Sequence, residues 1–393
     1  MRFPGGRKLC IVAYTEYHSD ARILREAETA VQGGYEVDVI TPRRKGESKK
    51  TTVNKVNIYR VGVQRYVGPE NLAYVLSYLR FFVRCFFRIS WLHINNGYQI
   101  IHVNNMPDIL VFTTLIAKLS GARIILDIHD PMPETYLAKF GNRKNRIWYR
   151  SLLFQERVSA AYSDIVLTVH EPLKRDILEK HGIKREKISV IKNFADDRIF
   201  VPADSFKISG QIRMIFYGTI AERFGFEAVL KAISNVSSKR LFHLKIIGRG
   251  DYEYRLGRII KGLGLIDTVD FENIVYPLAQ LPVILRQYHL GLVPYNPCQA
   301  TDYMLPVKMM ELLAMGIPVV TISNVPISYY VDKSMYFSYN PRNMDSLTEL
   351  IETIVNDPAL ILKKREDILI NRERFIWKNE SKKYLALLEC LSN

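Results

Sequence analysis

The chain has 393 residues, too many for one ordinary hydrophobic core and enough for two domains of normal size. Apolar residues make up 48% and charged residues 24%, which excludes a disordered chain. The net charge of +15 is uneven: residues 1–200 hold 32 Lys/Arg against 20 Asp/Glu, and such a basic half suggests an anionic partner such as nucleic acid, a lipid surface or a phosphorylated substrate.

In chain order, Lys8–Tyr14 reads as a buried strand, Ala21–Gln32 as a helix closed by Gly33-Gly34, and Tyr35–Thr41 as the next strand. A basic, hairpin-like insert follows over Arg43–Lys55. Asn71–Ile94 carries seven aromatic residues and no acid, with Arg80, Arg84 and Arg88 at every fourth position. Such a narrow arginine stripe fits a helix lying on an anionic membrane surface; three arginines argue against spanning, and a helix packed on the sheet is the alternative. Strands are expected at Ile100–Val103, Ala122–Ile128, Ile165–Val169 and Ile188–Ile191, with a helix over Asp108–Leu119.

After a polar connection near 194–211 the pattern restarts. Strands at Ile212–Tyr217, His243–Ile247, Thr268–Phe271 and Leu290–Pro294 alternate with helices at Glu227–Val236, Tyr252–Gly262 and Leu278–Arg286. Pro306 lies in the first turn of the next helix, Gly316 closes it, and Ile317–Thr321 is a buried strand. A last helix covers Trp377–Leu391. Two successive α/β units predict two Rossmann-like, doubly wound domains facing a cleft.

Lys308 and Glu311 share a helix face near its N-terminal end, where free N–H groups suit a phosphate and a carboxylate one turn on suits a ribose hydroxyl. From spacing alone, an exposed Lys–Glu pair worth a few tenths of a kcal/mol is the simpler reading. Other polar residues at strand ends are Gly218 to Arg223, the Gly248-Arg-Gly turn, and the His129-Asp130 pair. A lone histidine is more often structural than catalytic, and Asp130 serves equally as a helix cap. Asp20 caps the first helix, two residues before Arg22. Cys10, Cys85, Cys298 and Cys390 show no metal spacing and read as reduced thiols; no apolar leader precedes Cys10, so a cytoplasmic protein is expected.

The run Leu305-Pro-x-Lys308-x-x-Glu311-x-x-x-x-Gly316-x-Pro-Val-Val320 resembles the nucleotide-sugar motif of retaining glycosyltransferases of family 4, which have the GT-B fold. The resemblance covers nearly the whole chain. It implies an acceptor domain over 1–195, a nucleotide-sugar domain over 196–375 and a terminal helix, 376–393, crossing back to the first. It also implies that Glu311 holds the ribose, and that the loop with Tyr303 and Leu305 contacts sugar and diphosphate. Tyr303 stands where the family has a first glutamate, leaving the donor sugar open.

Gly218, Arg223, Gly248 and Lys308 would attend the nucleotide diphosphate, although Thr219 occupies the commonest arginine position. His129 would contact the reacting region of the donor, with Asp20, Arg22 and Asp130 on the acceptor side. The implied activity is transfer of a sugar from a nucleoside-diphosphate sugar to a polysaccharide or lipid-linked hydroxyl. No metal and no cofactor beyond that co-substrate is expected, and no nucleic acid. The location implied is the inner face of the membrane, peripherally. A non-catalytic GT-B partner subunit, a nucleotide-sugar epimerase and a basic nucleic-acid-binding protein are the alternatives.

Overall fold

The computed structural model describes residues 6–64, 66, 71–140 and 146–392, without the side chains of residues 19, 71, 72, 138–140, 299 and 300. Met1, at the head of the expected first domain, and the side chains that begin the Asn71–Ile94 stretch therefore lie outside the described residues. The chain forms two compact units, one of Met1–Asn193 with Glu380–Asn393 and the other of Phe194–Asn379.

The first unit holds β1 (Lys8–Val12), β2 (Glu36–Pro42), β3 (Lys50–Val53), β4 (Val56–Val61), β5 (Ile100–Asn104), β6 (Arg123–Asp127), β7 (Ile165–Thr168) and β8 (Ile188–Val190). Their order is β3-β4-β2-β1-β5-β6-β7-β8, parallel throughout except where β3 turns back on β4. The central strands are nearly continuous apolar runs because helices cover both faces; all five residues of β5 are buried. Order reverses at β1, whose neighbours are β2 and β5, so the loops after β1, β5 and β6 open at one sheet end.

Two expectations change here. The hairpin is not Arg43–Lys55 but Lys50–Val61, turning at Asn54 and Lys55, both with positive φ; its second arm, β4, is a full member of the sheet. The stretch expected as one helix over Asp108–Leu119 is a 3-10 helix, Asp108–Thr114, followed by a short α-helix, Leu115–Leu119. Thr113 and Thr114 donate to the carbonyls of Leu110 and Val111, both at 2.6 Å, and such back-bonding competes with the α ladder.

The second unit holds β9 (Ile212–Tyr217), β10 (Phe242–Ile247), β11 (Val269–Glu272), β12 (Leu290–Val293), β13 (Val319–Ile322) and β14 (Tyr336–Tyr339). The order β11-β10-β9-β12-β13-β14 is parallel throughout and reverses at β9. The helices Asp345–Asn356 and Ala359–Ile370 have no counterpart among the expected elements, nor has β14, whose four residues are too few to show a period. The connection expected as a polar linker is instead built into this unit. Phe194 and Phe200 are fully buried, and Arg372 and Arg365 donate to the carbonyls of Phe200 and Ala203.

The terminal helix runs Trp377–Ser392, and from Glu380 onward it belongs to the first unit. There Tyr384 is buried with its hydroxyl 2.9 Å from His102 Nδ1, and Glu380 accepts from the Lys192 backbone at 3.0 Å.

Candidate functional site

In the second unit, the register of β9 against β10 pairs Tyr217 with Ile247, so the two strands end level and Gly218 and Gly248 lie side by side. Gly218 N–H donates to the Ile247 carbonyl at 2.9 Å, and Ile220 N–H to the Arg249 carbonyl at 2.8 Å. Gly218 has φ +113°, and a Cβ there would stand 2.5 Å from Lys308 Nζ. At Gly248 a Cβ would stand 1.7 Å from the Gly218 carbonyl oxygen, so only glycine lets the two turns close together.

The helix carrying Lys308 and Glu311 spans Val307–Ala314. Pro306 caps it, with extended backbone, and is not in its first turn as expected. Nor is the pair a surface feature. Glu311 is 5% exposed and accepts a 2.6 Å hydrogen bond from the Tyr217 hydroxyl. Lys308 Nζ lies over two aromatic rings, 4.8 Å from the centre of Phe216 and 4.6 Å from that of Phe224. Burial pushes the Lys308 ammonium down to about 7; the neighbouring Arg223 charge adds to this and Glu311 works against it. Burial, and then the Glu311 charge, hold the Tyr217 hydroxyl well above its ordinary range, so it remains a donor.

Arg223 is exposed on the loop after β9, and its carbonyl takes the Asn296 N–H at 2.8 Å. Arg223 and Lys308 are thus two cations close enough to perturb each other beside a glycine turn, an arrangement suited to an anion. Tyr303 caps the end of the short Gln299–Asp302 helix and is half-buried, and Leu305 packs on the core. Asn324 Nδ2 holds this loop by donating to the carbonyls of Thr301 and Met304 at 2.8 and 2.7 Å.

In the first unit, Asp20 caps the Ala21–Gln32 helix, accepting from the N–H groups of Arg22 and Ile23. The Arg22 guanidinium, 8% exposed, lies 3.4 Å from Asp127, 3.6 Å from Asp20 and 3.1 Å from His129 Nε2. A guanidinium only donates, so His129 accepts on Nε2 and carries its proton on Nδ1, which faces Asp127 at 3.7 Å. Burial, reinforced by the Arg22 charge, holds the imidazole well below its ordinary pKa and therefore neutral. Burial raises Asp127 to about 6 against the pull of Arg22. Asp130 is 69% exposed, its carboxylate 3.9 Å from His129 Nε2.

Glu26, His102 and Asp127 are buried and bring potential metal-ligating atoms within 4.8 Å of one another, a grouping found among the described residues. Arg22 already supplies a cation to Asp127 there, and burial lowers His102 to about 3. Neither Asp127 nor Tyr217 stood out in the sequence. Each is the last residue of a strand immediately before a turn, and that position was the available signal.

Both units are doubly wound α/β domains of Rossmann type, each with polar residues gathered where its strands end. The model described as Glycosyltransferase Family 4 matches residues 21–198, and that described as Glycosyl transferases group 1 matches residues 197–374. The chain belongs to the GT-B glycosyltransferases of family 4. It is similar to WcaL, a glycosyltransferase assigned to colanic acid biosynthesis in Escherichia coli K12, with 29% identity over 154 residues, 38% of each protein. The match thus spans about two fifths of that relative's length.

Among solved structures, a sucrose-phosphate synthase of Thermosynechococcus elongatus superposes with a TM-score of 0.78 at 15% identity, covering 98% of this chain and 99% of that one. Anabaena HepE in complex with UDP-glucose gives 0.73 at 14% identity, again over 98% and 99%.

Proposed function

We propose that the protein is a retaining glycosyltransferase that moves a sugar from a nucleoside-diphosphate donor to a hydroxyl of a polysaccharide or lipid-linked acceptor. The observation that carries this reading is the buried Glu311 carboxylate, aimed by Tyr217 and set one turn from Lys308. In this reading Glu311 accepts from the ribose hydroxyls, Arg223 and Lys308 neutralise the diphosphate, and the Gly218–Gly248 turns let its oxygens approach the backbone. HepE, which shares the fold, was solved with UDP-glucose and supports a donor of this class.

The chemistry assigned is a same-face substitution. The bond from the anomeric carbon to the diphosphate oxygen breaks, the acceptor oxygen bonds to that carbon, and the acceptor's proton passes to the leaving phosphate. Neither an enzyme nucleophile nor a metal ion is invoked, because cationic side chains take the charge of the leaving group. His129, neutral and held by Arg22, is assigned to the donor sugar; Asp20, Arg22 and Asp130 are assigned to the acceptor side. The enzyme would work on the cytoplasmic face of the membrane, attached peripherally through the Asn71–Asn96 helix, which is not long and apolar enough to cross it.

Calorimetry with UDP-, GDP-, ADP- and CMP-sugars tests the donor site. One donor class should bind, and Glu311→Ala should weaken it by about tenfold or more, the loss of charged hydrogen bonds to a ribose. An unchanged affinity removes the ribose assignment. Binding without turnover on any acceptor would favour a non-catalytic partner, the reading that Tyr303 in place of glutamate keeps open.

A further inference from the structure

A second concavity, unused by the chemistry above, opens in the first unit between the β3–β4 hairpin and the Asn71–Asn96 helix. It encloses about 430 Å3, and five cationic side chains line it: Arg43, Lys49, Arg60, Arg84 and Arg88. Among the described residues, Arg60 alone of these five forms an ion pair, with Glu47 at 3.4 Å. Arg84 donates to the Gly62 carbonyl, and Arg88 lies 5.9 Å from the centre of the Trp91 ring. Four cations in one pocket without a carboxylate repel each other, and a bound anion reverses the sign of that energy. Arginine forks in particular match phosphate oxygens.

Helix geometry places an apolar ridge beside this pocket. At 100° per residue, Phe81, Cys85 and Ile89 form the buried face. Leu79, Val83, Phe87 and Trp91 recur every fourth position on the outer face, and Phe87 and Trp91 are 67% and 58% exposed. Arg80, Arg84 and Arg88 each come one residue later and so occupy the flank between ridge and core. A free anion has no use for the ridge. A lipid uses both, its phosphate among the arginines and its chains along Phe87 and Trp91.

We propose that this pocket binds the exposed phosphomonoester of a membrane-lipid headgroup while the Leu79–Trp91 ridge enters the interfacial layer. The proposal rests on the peripheral-membrane reading and names the group recognised. Flotation should compare phosphatidylcholine vesicles containing phosphatidic acid with vesicles containing phosphatidylserine at matched surface potential. The exposed phosphomonoester of phosphatidic acid should be preferred. Arg84→Gln with Arg88→Gln should weaken binding about 25-fold, two lost cations near the surface at about fivefold each. Lys49→Gln, a change at an exposed side chain, should give a smaller loss and serves should the double variant misfold.

Equal binding to both anionic vesicles overturns the phosphate site while leaving membrane attachment intact. No binding to either overturns both. Inorganic phosphate quenching Trp91 fluorescence in a Trp148→Phe, Trp377→Phe background, without vesicle binding, means a free-anion site and also overturns the proposal.

Discussion

The two clusters at strand ends solve opposite electrostatic problems. In the second unit, Lys308 and Arg223 leave a local excess of positive charge beside a glycine turn, and Lys308 is discharged toward about 7 by burial. In the first, Arg22 is surrounded by Asp20, Glu26 and Asp127, and burial pushes Glu26 and Asp127 up. One cluster sets two cations side by side; the other pairs its cation with carboxylates of its own. The contrast separates a cationic turn open to an anion from an ion-paired arginine that holds one imidazole, His129.

The largest effect that could break this contrast is on stability. Arg22→Met leaves Asp127 buried without its cation, and such a loss costs about 3–5 kcal/mol. Denaturant unfolding should show it, with a pH signature. Asp127 already has a folded pKa raised to about 6, above its unfolded value. Its neutral form is therefore the one favoured by folding, and its contribution is lost as pH rises through that value. Removing Arg22 raises it further, so the variant should be more impaired at pH 8 than at pH 5. A pH-independent loss would mean that packing, not charge, explains the cluster.

Next is Gly248→Ala, which drives a Cβ into the Gly218 carbonyl and should cost at least about 1–3 kcal/mol with loss of nucleotide binding. Thermal unfolding and calorimetry read both effects. A stable variant that still binds would show that the turns can separate and that their close approach is not needed.

The smallest effect sharpens the comparison most. Lys308 is about half charged near pH 7 in the unliganded protein, and a bound diphosphate would raise its pKa. Ligand binding at pH 8 should therefore take up a fraction of a proton, seen as a binding enthalpy that varies with buffer ionisation enthalpy. Lys308→Met should abolish that variation. Proton release, or none, would place the ligand away from Lys308.

Much of the frame was legible in sequence. The Ala21–Gln32 helix and the Ile212–Tyr217 strand follow from period and punctuation alone, as does the Asp20 cap. Gly218, Lys308 and Glu311 were found by motif, and the structure brings them together within one unit with Gly248. Tyr217 and Asp127 were passed over because a strand's last residue has no distinguishing pattern until its neighbouring strands are known.

The sequence by itself determined alternation of strand and helix, the basic first half and the motif, because these depend on local period, composition and spacing. Only the tertiary structure decided that Lys308 is caged by Phe216 and Phe224, that Glu311 is aimed by Tyr217, and that Arg84 and Arg88 share a pocket with Arg43, Lys49 and Arg60. Those facts depend on parallel register and helix rotation, which join residues nearly a hundred positions apart and set how far each charge is removed from water.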